Sequence, residues 1–175
     1  MTAAQELLTD AARRAPETAR LVLDGLSHTA AHEPPGGIQN PVAWLIWHAA
    51  RQQDVQVSQL AGTEQVWDQG DWAERTGVNR SSGDMGFGDS AEQATSFLAE
   101  NPQELGGYLE ATVQRTVAYI QTLDDESLAE VIDSSWDPPV TRGVRLVSTI
   151  DDAAQHLGQA AYARSLVEPG WKAPY

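Results

Sequence analysis

The chain has 175 residues, a formal net charge of −14 and no cysteine. This length favours one domain over residues 1–175, and a content of 41% hydrophobic residues is typical of a globular protein. The negative charge argues against nucleic acid or an anionic membrane surface as the main partner, since both attract basic surfaces. The missing cysteines exclude disulfides, thiolate metal sites and cysteine nucleophiles, which suits a cytoplasmic protein.

Residues 1–20 are charged and amphipathic, so we expect no signal peptide. No stretch reaches the ~18 consecutive apolar residues of a membrane span, which predicts a soluble protein.

Apolar residues recur at steps of three and four along four stretches, which predicts four helices. The first helix covers about residues 3–26, with Pro16 marking either a kink or a second start. The second helix has Asn40 as its N-cap and Pro41 as its first residue, and it ends at Gly62.

The third helical region covers about residues 90–123, where Asn101 and Glu104 predict a capping box at an internal restart. The fourth helix covers about residues 144–167. No run of alternating residues requires a sheet. Four helices in a chain of this size predict an all-α four-helix bundle.

Residues 63–89 lack helical periodicity and contain Trp67, Trp72 and five glycines. A loop this long inside a compact domain is more often a functional cover than a plain connection. We therefore predict that Trp67 and Trp72 line a pocket. The glycines of GDMGFG do not follow the phosphate-binding GxGxxG order, and no GxSxG elbow marks a serine nucleophile.

Three residues form a candidate metal site. Asp152 and His156 are four apart in the fourth helix and share one face, the spacing at which a helix offers two ligands to one ion. His48 lies in the apolar segment VAWLIWHAA, where an unpaired polar side chain is costly. Two imidazoles and one carboxylate leave positions open for water or substrate. The alternatives are a surface acid–histidine pair and a core histidine bonded to a backbone carbonyl.

His28 and His32 are also four apart, but they lie between Gly25 and the Pro34–Pro35 pair. That segment is too short for a rigid core helix. We predict that both histidines face solvent and bind no metal.

Four segments carry a resemblance to a known family: NPVAWLIWHAARQQDVQVSQLAG, QVWDQGDWAERTGV, WDPPVTRGVRLVS and DDAAQHLGQAAYARSL. Over about residues 5–168 the chain resembles the DinB/YfiT-like superfamily. Within it, the chain is most similar to an actinobacterial-type branch near the N-terminal domain of mycothiol-dependent maleylpyruvate isomerase. The most specific elements are His48 and the HLGQ sequence at residues 156–159.

The resemblance implies a bundle of up-down-down-up order with a long loop between helices two and three. It also implies a divalent metal, zinc or nickel, bound by His48, Asp152 and His156, with Gln159 supporting the site. Most members have histidine in place of Asp152, whereas the isomerase branch has a carboxylate there.

The leading functional hypothesis is a metal-dependent enzyme that transfers a low-molecular-weight thiol, such as mycothiol, to a small electrophile. The absence of cysteine fits, because the sulfur would come from the cofactor. The alternatives are metal-dependent hydrolysis and a non-catalytic binding or stress-response protein with a structural metal. The resemblance also implies a homodimer. The chain has more Trp and Leu side chains than one apolar stripe per helix would need, which favours the same prediction.

Overall fold

The computed structural model describes residues 1–173. Four long helices are α1 (Ala3–Leu23), α3 (Val42–Ala61), α7 (Glu104–Gln121) and α9 (Arg142–Val167). The short helices are α2 (His28–His32), α4 (Val66–Gln69), α5 (Trp72–Thr76), α6 (Ala91–Thr95) and α8 (Asp125–Ala129), with a 3-10 turn at Pro35–Gly37. Two short antiparallel strands, β1 (Val131–Asp133) and β2 (Val140–Thr141), precede α9.

The long helices pack so that α1 and α3 each contact both α7 and α9. Helix α3 is the most enclosed of them, because every residue from Val42 to Asp54 is buried. A helix that is buried on all sides lies inside its domain rather than on the surface. The predicted all-α class is confirmed, and the small sheet is an addition that the sequence pattern did not indicate. The up-down-down-up order stays a prediction.

Helix α1 is continuous through Pro16, so the chain makes no second start there. Pro16 is buried in the bundle, and the packing of the surrounding helix offsets its missing backbone N–H. The helix begins with a capping box in which Thr2 and Gln5 exchange side-chain and backbone hydrogen bonds.

Two predicted helix caps, at Asn40 and Asn101, are wrong. Helix α3 begins at Val42 after Pro41, and no side chain caps its first turn. The Asn101 side chain donates to the carbonyl of Arg75 (3.0 Å) instead of capping α7. The Asn101 side chain is therefore used in a contact between distant segments and does not form the predicted cap. The predicted end of α3 is confirmed, with Gly62 in the left-handed region at φ 65°.

The long connection after α3 is more ordered than predicted, because it contains α4 and α5. Within this connection, Val78 forms an isolated antiparallel bridge with Ala99. Within residues 1–173, none of the helices combines the length and the apolar character that crossing a membrane requires.

Candidate metal centre

The packing of α3 against α9 brings together the three predicted ligands. His48 comes from α3, and Asp152 and His156 come from successive turns of α9. One potential ligand atom from each residue lies within 4.8 Å of the others. The rings of His48 and His156 meet edge to face, with centroids 4.5 Å apart. The fold therefore gathers residues separated by about a hundred positions into one cluster.

Hydrogen bonds set which nitrogen of each histidine is free. The Nδ1–H of His48 donates to the carbonyl of Met85, and the Nδ1–H of His156 donates to Oε1 of Gln159 (3.1 Å). Each bond leaves the lone pair on Nε2, because a neutral imidazole carries only one proton. The Nε2 of His156 lies 3.6 Å from Oδ1 of Asp152. Orientation of a ligating histidine through its other nitrogen is the usual arrangement in metal sites.

Burial lowers the pKa of His48, although its bond to Met85 acts in the opposite direction. The lowered pKa favours the neutral ring, which is the form that binds a metal.

Asp152 has a buried oxygen without a partner. Its side chain is 41% exposed, yet Oδ2 is buried, and nothing in residues 1–173 forms a hydrogen bond with it. A buried carboxylate oxygen left unpaired is unfavourable. A cation would satisfy it, and two imidazoles with one carboxylate are a donor set that zinc accepts. The other carboxylate oxygen, Oδ1, lies 3.6 Å from Nε2 of His156, near the ~3.4 Å expected for two tetrahedral ligands at ~2.1 Å. The residues present therefore fit a divalent metal.

An aromatic wall and a glycine loop surround His48. Trp44 stacks on His48 and presents an edge to His156 at 6.3 Å. Gly86 has φ +76°, and a Cβ there would lie 2.9 Å from ring atoms of both Trp44 and Trp47. The loop therefore approaches the indoles too closely for a side chain at this position. Trp44 was not among the predicted site residues, although its spacing of four residues from His48 on one helix is a usable signal.

Trp67 and Trp72 lie elsewhere. Both are buried against Tyr108, with ring centroids 4.9 Å and 5.6 Å from it. Trp67 also lies beside Arg51, and Trp72 packs under Arg75. The prediction that these two rings line a pocket is therefore replaced by a role in the core. It is Met85, further along the same loop, that covers His48.

The prediction for the other histidine pair is half right. His28 is exposed, but His32 is partly buried. The Nδ1–H of His32 donates to the His28 carbonyl (2.8 Å), and its Nε2 accepts from the N–H of Ala99 (3.0 Å). His32 therefore ties α2 to the segment before α7, and both of its ring nitrogens are occupied by this structural role.

Together these features define a helical protein with a two-histidine, one-carboxylate cluster between two long helices. The family model of the DinB superfamily matches residues 11–160, and the chain belongs to that superfamily. The chain is similar to a conserved protein from Enterococcus faecalis whose crystal structure is known. The two share 36% sequence identity with a TM-score of 0.86, over 95% of this chain and 98% of that one. No curated protein matches the chain. The actinobacterial-type branch and the similarity to the isomerase domain stay predictions.

Proposed function

We propose that this protein is a divalent-metal-dependent enzyme that activates a low-molecular-weight thiol, such as mycothiol, for transfer to a small electrophile. The observation that carries the proposal is the convergence of His48, Asp152 and His156, with two free Nε2 atoms and one partnerless carboxylate oxygen. Zinc is the metal we favour, because three protein ligands of this kind leave a fourth position open. Nickel is the second choice, since imidazole also suits it.

The ligands determine the charge and the access of the centre. Asp152 contributes one negative charge, and the two histidines are neutral ligands. The His156 side chain is 19% exposed, so the centre has a side that a small molecule can reach. A divalent cation there would supply positive charge that lowers the pKa of an adjacent thiol from about 8.5 toward neutrality. Because the chain has no cysteine, the sulfur must come from the bound thiol.

A neighbouring cavity supports a small-molecule substrate. It has a volume of about 210 Å³, and its lining residues are all uncharged. Gln39, Asn40, Gln159 and Tyr162 supply polar groups to this lining. Gln159 also accepts the hydrogen bond from His156, so one side chain connects the cavity with the metal ligands. A neutral substrate of modest size suits this lining better than a strongly charged one.

The test uses cobalt, whose visible spectrum reports its ligands. Cobalt-loaded protein is titrated with mycothiol, bacillithiol and glutathione, and we expect a sulfur-to-metal charge-transfer band with at least one of them. His48→Ala and His156→Ala should abolish the band. His28→Ala is the matched control, because it removes an exposed histidine outside the cluster, and it should leave the band unchanged.

The opposite results distinguish the alternatives. If no thiol gives a band and an activated ester is hydrolysed without thiol, the centre is hydrolytic. If the protein has no turnover and its stability is independent of metal, it is a binding protein.

A further inference from the structure

We propose that Arg51 is a positioning residue of the metal centre. In this proposal Arg51 holds the loop after α5 in the one place where the Met85 carbonyl meets Nδ1 of His48. The inference rests on the metal function proposed above and adds a buried charged pair to it.

The Arg51 guanidinium binds the loop directly. Its side chain is only 1% exposed. Nη2 donates to the carbonyl of Ser82 (2.6 Å), and Nε donates to the carbonyl of Asp84 (3.2 Å). Nη1 donates to Oε1 of Gln65 (2.8 Å), near the start of the same connection. The planar fork of arginine can hold several acceptors at fixed angles, which a lysine ammonium cannot do.

Asp54 completes the anchor from the next turn of α3. Its buried carboxylate lies 3.6 Å from Nη1 of Arg51. It also accepts the backbone N–H groups of Val66 (2.9 Å) and Trp67 (2.8 Å) and the hydroxyl of Tyr108 (2.8 Å). Asp54 therefore fixes the beginning of the connection, while Arg51 joins that beginning to the segment that contains Ser82 and Asp84. A buried ion pair adds little net stability over apolar packing, so a role in fixing geometry accounts for it better.

The peptide groups on either side of Met85 are both restrained. On one side, Arg51 holds the carbonyl of Asp84. On the other side, Oδ1 of Asp84 accepts the N–H of Gly86 (2.8 Å). Arg51 follows His48 by three residues, so one turn of α3 presents both the imidazole and the group that holds its acceptor. Helix α3 thus holds the loop through Arg51, and the loop in turn keeps the proton of His48 on Nδ1.

If Arg51 had only a structural role, its replacement would lower the stability of the fold without changing the metal centre. Arg164 is the comparison, because its replacement should have that effect alone. Arg164 is also a buried arginine, paired with Glu168 at 2.9 Å. Its Nη1 donates to the carbonyls of Val22 and Asp24, both at 2.7 Å. It therefore fastens the end of α1 in the way that Arg51 fastens the loop, but it has no bond to the loop that carries Met85.

The experiment compares Arg51→Lys, Asp84→Ala and Arg164→Lys. Zinc affinity is measured by chelator competition, and the tautomer of His48 is read from the ring ¹⁵N shifts of the metal-free protein. Asp84→Ala frees the peptide after Met85 while leaving the buried Arg51–Asp54 pair in place, so it guards against a folding defect in the first variant. Circular dichroism checks that each variant folds.

We expect Arg51→Lys and Asp84→Ala to weaken zinc binding about 10- to 100-fold, the usual range for a group that orients a ligating histidine. Both should also move His48 from the Nδ1–H form to a mixture of tautomers. Arg164→Lys should lower the melting temperature and change neither the affinity nor the tautomer.

Unchanged zinc affinity and an unchanged His48 tautomer in Arg51→Lys would overturn the proposal. An equal loss of affinity in Arg164→Lys would also overturn it, because general destabilisation would then explain the effect. If the wild-type protein binds no zinc, the proposed metal function fails. The tautomer of His48 in the metal-free variants then decides alone whether Arg51 positions the ring.

Discussion

The indole of Trp44 lies flat against the imidazole of His48, with ring centroids 4.7 Å apart and planes 8° from parallel. The two residues are four apart on α3, so the helix itself sets the stack. Nε1 of Trp44 donates to Oδ2 of Asp89 (2.9 Å), which keeps the indole from turning. The stack therefore restrains the plane of the His48 ring, while the carbonyl of Met85 fixes its proton.

Replacement of Trp44 should separate these contributions. We expect Trp44→Ala to lower the free energy of unfolding by about 3–5 kcal/mol, because it empties a buried aromatic site. Trp44→Phe keeps a ring over His48 and loses the bond to Asp89, so we expect a smaller loss, about 1–3 kcal/mol. Urea denaturation of the metal-free proteins measures both. Equal losses in the two variants would show that ring packing contributes little.

Metal binding should stabilise the fold through the cluster alone. At free zinc 100 times the dissociation constant, the free energy of unfolding should rise by about 2.7 kcal/mol in the wild-type protein. Asp152→Ala and His156→Ala should lose this gain, and so should His48→Ala, since each removes one of three ligands. His28→Ala should keep it. Thermal unfolding with and without zinc provides the measurement, and a gain that survives in Asp152→Ala would place the metal elsewhere.

His32 should make the metal-free protein sensitive to acid. Burial lowers the pKa of His32 below its usual 6.5 in the folded state. The neutral ring is therefore favoured by folding, so its contribution to stability is complete above pH 6.5 and is lost as the pH falls through the folded-state pKa. Protonation of Nε2 would also break the bond from Ala99.

The measurement for His32 is the free energy of unfolding between pH 7.5 and pH 4.5, in the wild-type protein and in His32→Gln. The variant should be less stable at pH 7.5 and should lose less stability on acidification. Because burial also lowers the pKa of His48, part of the acid sensitivity should remain in the variant. Parallel curves for the two proteins would contradict the prediction.

Ionisation of Tyr108 should lower the stability of the folded protein at alkaline pH. Burial raises the pKa of the Tyr108 phenol well above its usual value, and the charge of Asp54 acts in the same direction. The neutral phenol is favoured by folding, so its contribution is complete below about pH 10 and declines as the pH rises above that value. Tyr108→Phe should cost about 1–3 kcal/mol at pH 7 through its lost hydrogen bonds and should flatten the alkaline decline. Denaturation at pH 7 and pH 11 tests both effects.

The sequence predicts the ligands because helical spacing carries their geometry. Asp152 and His156 share a face of α9 because they are four residues apart in one helix. The apolar sequence around His48 indicates that its side chain is buried. The positions of Trp67 and Trp72 were not predictable in the same way. They depend on Tyr108, which lies on another helix and has no sequence pattern that relates it to them.

The contacts of Arg51 could not be predicted from the sequence for a similar reason. Its acceptors on the loop include the backbone carbonyls of Ser82 and Asp84, which every residue type possesses. No choice of amino acid marks such an acceptor, so only the folded chain reveals the contact. The failed cap at Asn101 follows from a similar cause, since its side chain donates to the backbone carbonyl of Arg75 instead of capping α7.

The enclosure of α3 has a consequence for how the centre exchanges its ion. Amide protons of a fully buried helix exchange with deuterium only through global unfolding, whereas those of a helix with a solvent-facing side exchange through local opening. We expect slow exchange around His48 and faster exchange around Asp152. A bound ion would then be released by a local fluctuation of α9. The His48 imidazole on α3 would stay in place and could bind the ion again.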